Sequence, residues 1–281
     1  MLYLYCGGYM VKYKVIKAND FLVESKLPDA DYVINGYVGC THKCIYCYAC
    51  FMKRFTNHTE PWGDFIDIKE FDEYKIPKDI EGKNIFISSV TDPYNHFEKK
   101  YEKTRKALEV LKDINCEIGI LTKSKLVVRD IDLFKQFKNI EIGISLNTID
   151  DDFRKLIEPN AGNVEDRINA LRELKENGIT TYLFMSPIFP GITDFKAIIE
   201  KTKEYVDYYC FEDLNLRANY KYDVLNLIKD KYNHLYSLYN DIYLNNKKDY
   251  FDNYKKGIIS YCENNNIKYK IYFHHSDIKK R

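Results

Sequence analysis

The sequence predicts an α/β fold: six strands alternating with helices, rolled into a partial (β/α)6 barrel with a C-terminal helical extension. Three observations lead to it. From residue 84 onward, apolar runs of strand length alternate with segments whose apolar residues recur at helical spacing. Successive parallel strands need right-handed crossovers, and each intervening segment is long enough to supply one. The polar and sulfur groups of interest fall at or just past the strand ends, the rim where such architectures collect their chemistry.

Taken in order, residues 1–30 contain short extended stretches, Tyr13 to Ile16 and Phe21 to Val23, ended by Pro28-Asp29. They are expected to form a lead-in that covers one end of the barrel. Residues 31–38 carry Tyr32, Val33, Ile34, Tyr37 and Val38 and read as the first core strand. After a cysteine-rich turn, Tyr48 to Phe55 has helical propensity. The stretch with His58, Glu60, Trp62, Asp64 and Lys69 reads as irregular, His58 and Trp62 packing under a loop. Asn84 to Ser88 is a buried strand, and Tyr101, Leu108, Leu111 and Ile114 mark one face of a helix over 98–114. Cys116 to Leu121 is a strand followed by a helix over 127–137. Ile140, Ile142, Ile144 and Leu146 alternate as a strand; Val164, Ile168, Leu171 and Leu174 line a helix stopped by Asn177-Gly178. Ile179 to Met185 and Val206 to Leu216 complete the six. Tyr220 to Tyr243 and Tyr250 to Asn264 look like helices, and Ile267 to Phe273 like a last strand. The expected organisation is a lead-in over 1–30, a barrel over 31–220 and a cap over 221–281.

A chain of 281 residues can bury a sizeable core. Its 43 Lys plus Arg nearly cancel 42 Asp plus Glu, so it lacks the overall positive charge of a nucleic-acid binder, and contact with DNA needs a local basic patch. Cys6, Cys116, Cys210 and Cys262 are scattered without a disulfide-framework spacing, which suits a reducing compartment. Residues 1–15 lack the charged-then-apolar order of a signal peptide, and no apolar run reaches the ~18 residues of a membrane span. A cytoplasmic protein is expected.

The chain is organised around residues 35–50, where Cys40, Cys44 and Cys47 stand at C-x3-C-x2-C spacing on a loop tethered by the first strand. Soft thiolates this close together suit an iron–sulfur cluster or a zinc ion. Three of them leave one iron of a four-iron cube open to a small molecule. With Cys50 added, the spacing supplies the four sulfurs of a zinc knuckle.

The three-cysteine spacing, with Tyr46 just before the third cysteine, resembles the signature of radical S-adenosylmethionine (SAM) enzymes. The wider frame is Cys47-Tyr-Ala, Phe51-Met-Lys-Arg-Phe55, Trp62-Gly63, Val90-Thr-Asp-Pro-Tyr94, Leu121-Thr-Lys-Ser124, Ser145-Leu146, Glu158-Pro159 and Pro187-Ile-Phe-Pro-Gly191. It is similar to the spore photoproduct lyase-like branch, also called DNA repair photolyase-like. The resemblance implies a TIM-like partial barrel and a [4Fe-4S] cluster held by Cys40, Cys44 and Cys47. It further implies SAM bound at the open iron, cleaved by one electron to a 5′-deoxyadenosyl radical, and a flavodoxin- or ferredoxin-like reductant.

SAM presents a carboxylate, an ammonium, a ribose diol and an adenine, so its site needs a cation, acceptors, hydroxyls and an apolar slot. Lys123 can meet the carboxylate as a point charge, and Ser145 can bind ribose or carboxylate. Thr91 and Asp92 stand where many radical SAM enzymes carry a glycine-rich acidic motif for the SAM amino group. Tyr46 and Tyr48 flank Cys47 and can pack on adenine or stand in the radical path. Ser186 and Arg217 fall on the same rim. Glu158 and Arg167 lie in a family-like segment, yet can equally end a loop and pair on a helix face. Spore photoproduct lyase proper carries a hydrogen-donating cysteine where this chain has Val90, so thymine-dimer splitting by that route is not expected. Cys50 is the candidate for a substitute donor or radical relay, or else a buried small hydrophobe.

The expected function is hydrogen abstraction from a peptide, protein or small molecule. Radical repair or modification of nucleic acid is the second reading, favoured by Lys53-Arg54, Lys99-Lys100, Lys123, Lys125 and the Lys/Tyr-rich tail, where aromatics can stack bases and lysines meet phosphates. A non-enzymatic metal-binding module is the third.

Overall fold

A computed structural model describes residues 2–6, 8–217, 220–247 and 249–273. Its strands are β1 (Leu2–Cys6), β2 (Tyr9–Ala18), β3 (Val23–Glu24), β4 (Tyr32–Ile34), β5 (Tyr37–Val38), β6 (Phe65–Phe71), β7 (Asn84–Ile87), β8 (Glu117–Thr122), β9 (Ile140–Ser145), β10 (Thr180–Ile188), β11 (Tyr208–Asp213) and β12 (Tyr269–Ile271). Its helices are α1 (Glu98–Tyr101), α2 (Lys103–Leu111), α3 (Ile131–Phe134), α4 (Asp151–Ile157), α5 (Val164–Glu176), α6 (Phe195–Thr202), α7 (Tyr220–Lys231), α8 (Tyr236–Tyr243) and α9 (Asp249–Asn264).

Parallel pairing runs β4-β7-β8-β9-β10-β11-β12, with β3 antiparallel on the outer edge of β4. The edge strands β3 and β12 do not pair with each other among the described residues, so the sheet is an open, partial barrel. Ile85, Ile87, Ile118, Ile120, Ile142 and Ile144 are fully buried, and each such side chain contributes about 1.5–3 kcal/mol. Because all seven strands run the same way, their C-terminal ends share one rim. The six expected barrel strands are present, and the expected last strand joins them as β12.

Four expectations need correction. Residues 31–38 are not one strand: β4 joins the barrel, while β5 pairs with β6 in a second, four-stranded sheet of order β1-β2-β6-β5. That sheet contains the stretch read as irregular, since Phe65, Ile66 and Ile68 are fully buried between β2 and β5. The helix over 98–114 breaks at Glu102, whose φ is +49°. There the buried Glu98 carboxylate accepts the N–H groups of Thr104 (3.0 Å) and Arg105 (3.2 Å), so α2 restarts on a side chain of α1. The helix over 127–137 is a 3-10 turn, Lys125–Asp130, running into α3.

Candidate active site

Gly39 ends β5 and turns the chain into the cysteine loop. Its φ of +96° lies in the left-handed region, and a Cβ there would stand 2.4 Å from the Phe65 carbonyl oxygen. Glycine alone lets the loop leave so close to β6. The second sheet then pins the loop from outside. The Tyr9 hydroxyl donates to the carbonyls of Thr41 (2.8 Å) and Gly63 (3.0 Å). Lys43 pairs with Asp64 and lies 3.9 Å from the Tyr9 ring centre. From the barrel side, Thr41 Oγ1 meets His96 Nδ1 at 2.8 Å and the Ile45 N–H donates to the Ile157 carbonyl at 3.0 Å.

Cys40, Cys44 and Cys47 are free, partly buried thiols on this loop. Burial pushes all three up, Cys40 to about 12, with Asp92 adding to the shift at Cys40 and Glu158 at Cys44. Such thiols give up their protons against a compensating positive centre. Trp62 packs edge-on to Phe65 at 5.7 Å, and its indole beside Cys47 tempers the rise of that thiol. His58 does pack as expected, stacked 4.0 Å from the Phe65 ring with Nε2 2.8 Å from Asp67.

The loop after β7 joins the cysteine loop to the end of β8. The Asn35 amide oxygen accepts the N–H groups of Ser89 (3.0 Å) and Val90 (3.4 Å), and the Thr91 hydroxyl donates to the Gly39 carbonyl at 2.6 Å. Asp92 accepts from Thr122 Oγ1 (2.6 Å), the Lys123 N–H (2.7 Å) and the Tyr94 N–H (2.9 Å), and its carboxylate lies 3.4 Å from His42 Nδ1. Burial holds His42 down at about 4 against the pull of Asp92, so the imidazole is neutral at pH 7. Thr91 and Asp92 thus commit their side chains to internal partners.

Lys123, Ser145, Glu158, Arg167 and Tyr46 form one buried network behind the cysteines. The Lys123 ammonium donates to Ser145 Oγ at 2.9 Å and lies 4.0 Å from Glu158 Oε1. Burial and then Arg167 work against its charge, but Glu158, Cys44 and Asp92 outweigh them and raise its pKa. Glu158 and Arg167 are fully buried and paired, and Tyr46 donates its phenol to the same carboxylate. Burial alone would raise Glu158; Arg167 and then Lys123 overcome it, leaving a carboxylate below its ordinary range. Arg167 also donates to the Ser145 carbonyl at 2.9 Å.

The structure therefore brings Tyr46, Lys123 and Ser145 together, with Thr91 and Asp92 beside them. Tyr48 is on the rim, 57% exposed, its hydroxyl donating to the Ser89 carbonyl at 2.5 Å. Cys50 packs against the apolar cluster that includes Leu216 and Tyr220. Ser186 donates to Glu212, and Arg217 is exposed past β11. Sequence reasoning missed Asn147, two residues past Ser145. Its Nδ2 is 3.5 Å from Glu158 and its buried Oδ1 has no donor. An orphaned acceptor costs about 1–3 kcal/mol, which a ligand donor would restore.

Among the described residues, no three His, Cys, Asp or Glu side chains sit closely enough to hold a single ion. Three soft thiols, a buried ammonium and an unsatisfied acceptor fit an iron–sulfur cluster with a zwitterionic ligand beside it.

The comparisons with known proteins agree with that chemistry. The family model of the radical SAM superfamily matches residues 34–202. An uncharacterised protein of Methanocaldococcus jannaschii is 45% identical over 205 residues, 73% of this chain and 78% of that protein. A radical SAM Nalpha-GlyT isomerase of Pseudomonas phage M6 is 29% identical over 170 residues, covering 59% of this chain and 35% of the isomerase. Among solved structures, spore photoproduct lyase with bound AdoMet and dinucleoside spore photoproduct matches with TM-score 0.56 at 14% identity, over 78% of this chain and 66% of that one. Streptococcus suis SuiB bound to S-adenosylmethionine matches with TM-score 0.54 at 15% identity, over 86% and 50%. The chain thus spans just under two thirds of the lyase and half of SuiB. Superfamily members bind a [4Fe-4S] cluster and SAM, which decides for the cluster over the four-thiolate zinc site that Cys50 would have completed. From its family match, the chain belongs to the radical SAM superfamily.

Proposed function

We propose that the chain reductively cleaves SAM at a [4Fe-4S] cluster held by Cys40, Cys44 and Cys47, and uses the resulting 5′-deoxyadenosyl radical to take a hydrogen atom from a substrate at the C-terminal rim. The observation that carries this reading is the buried Lys123–Ser145–Glu158–Arg167–Tyr46 network directly behind the three-cysteine loop. A cluster held by Cys40, Cys44 and Cys47 would supply one-electron reduction of the sulfonium, the electron coming from a flavodoxin- or ferredoxin-like reductant and the C5′–S bond parting into methionine and the radical. In this reading Lys123 receives the SAM carboxylate, Ser145 a ribose or carboxylate oxygen, and Asn147 Oδ1 a donor of the same ligand. Tyr46 and Tyr48 border the adenine. Thr91 and Asp92 serve the amino group by holding their loop against the cluster loop. Cys50, just past the cluster loop, is the candidate for hydrogen return or radical relay. The free thiols of Cys116, Cys210 and Cys262 suit a reducing, cytoplasmic setting. The test is anaerobic reconstitution, reduction with dithionite and addition of SAM: 5′-deoxyadenosine must form with the wild type and not with Cys40→Ala.

A second reading makes the substrate a nucleic acid rather than a peptide, protein or small molecule. It is favoured by the helix after the cysteines, where Tyr48, Phe51 and Phe55 are 57%, 42% and 66% exposed and the Arg54 guanidinium lies 5.5 and 4.6 Å from the Phe51 and Phe55 ring centres. Flat exposed rings beside cationic groups are what stacking of bases requires. Fluorescence anisotropy with single-stranded DNA tests it: micromolar binding that fades with salt and is lost in Phe51→Ala/Phe55→Ala supports this reading, and absence of binding returns the first.

A further inference from the structure

The last residue of α4 and the connector that follows it to α5, residues 157–163, touch both halves of the candidate site. Toward the cysteine loop, the Ile157 carbonyl accepts the Ile45 N–H (3.0 Å), the Asn160 N–H donates to the His42 carbonyl (3.2 Å), and the Asn160 side chain donates to the Thr41 carbonyl (3.2 Å). Toward the strand ends, the Gly162 N–H donates to the Lys123 carbonyl at 3.1 Å, and a Cβ on Gly162 would stand 2.7 Å from that oxygen. Arg167 returns to the Gly162 carbonyl at 2.8 Å and to the Ser145 carbonyl at 2.9 Å. Glu158 stands at the centre. One carboxylate oxygen takes the Tyr46 phenol from between Cys44 and Cys47 and lies 4.0 Å from the Lys123 ammonium; the other takes Arg167.

A fully buried ion pair adds little net stability over an apolar pair of the same volume, because desolvation offsets its attraction. Such a pair beside a ligand site is better explained by the geometry it enforces. We propose that Glu158 is a positioning residue that sets the spacing between the cluster loop and the Lys123 cation. This deepens the SAM-cleavage reading and rests on it. Without the Glu158 charge, Lys123 and Arg167 lose the carboxylate that they share, and Tyr46 loses its acceptor. The ammonium then leaves the position in which it meets a ligand carboxylate, while the three cysteines remain.

The test uses reconstituted full chain: wild type, Glu158→Gln and Tyr46→Phe. Iron content, SAM affinity, the change in the electron paramagnetic resonance signal of the reduced cluster on adding SAM, and KM and kcat for 5′-deoxyadenosine formation are measured. Both variants are expected to load iron as the wild type does yet bind SAM about tenfold more weakly, the loss of one charge-assisted hydrogen bond, with KM rising more than kcat falls. The signal change on adding SAM should be altered as well. Wild-type affinity and wild-type spectra in both variants overturn the proposal. Should Glu158→Gln fail to fold, Tyr46→Phe, which removes one oxygen, decides alone by the same criteria. A wild type that holds its full cluster and makes no 5′-deoxyadenosine overturns the parent reading instead.

Discussion

Replacing Lys123 with methionine removes the cation of the candidate SAM site and keeps much of the side-chain volume. At 4.0 Å from Glu158, the ammonium is attracted by about 4 kcal/mol at an effective dielectric of ~20, most of which its own desolvation offsets. Glu158 keeps Arg167 and Tyr46 as partners in the variant, so the fold should lose only about 1 kcal/mol. A bound carboxylate has no such reserve. Losing a hydrogen bond between charged groups costs about 1.5–3 kcal/mol, or roughly 10- to 150-fold in affinity. The assay is the SAM dependence of 5′-deoxyadenosine formation by reconstituted protein, with iron content and melting temperature measured alongside. The expected result is a KM for SAM raised by that factor in a protein with normal iron. An unchanged KM refutes the assignment of Lys123; a collapsed melting temperature refutes the division of labour between Lys123 and Arg167.

Gly39→Ala forces a residue with φ of +96° to place its Cβ 2.4 Å from the Phe65 carbonyl. Strain of about 1–3 kcal/mol plus that clash should lower the melting temperature and reduce iron loading, read by absorbance after reconstitution. Cys50→Ala should retain both the cluster and 5′-deoxyadenosine formation, because the side chain packs on the apolar cluster near Tyr220; a drop in iron content would make it a ligand. Asp151 is held at about 2, chiefly by its hydrogen bonds from Arg154 at 2.9 and 3.0 Å. A depressed folded pKa stabilises fully above the ordinary carboxylate range and loses that contribution as pH falls through about 2. Thermal melts of Asp151→Asn should therefore fall less steeply than the wild type on acidification below pH ~4.

The barrel was legible because its signals are local. Ile140, Ile142 and Ile144 alternate at the period of a strand, and Val164, Ile168, Leu171 and Leu174 recur at that of a helix. The second sheet was not. From Phe65 to Ile68, β6 is buried on both faces, and this includes the Asp67 carboxylate, made tolerable by His58 at 2.8 Å and Lys14 at 3.7 Å, partners that no pattern along the chain announces. Glu102 hides in a good helical pattern for a similar reason, since the break is caused by where the Glu98 side chain points. At the site, the three cysteines and the strand-end positions of Lys123 and Ser145 were readable from spacing. The engagement of Asp92 with the β8 end and the orphaned oxygen of Asn147 exist only once the chain is folded.

The most direct measurement is metal and product analysis on one anaerobically reconstituted sample. Iron and sulfide at the complement of a [4Fe-4S] cluster are expected, with 5′-deoxyadenosine and methionine appearing in equal amounts once dithionite and SAM are added. Tightly bound zinc in place of iron, with SAM recovered intact, would contradict it.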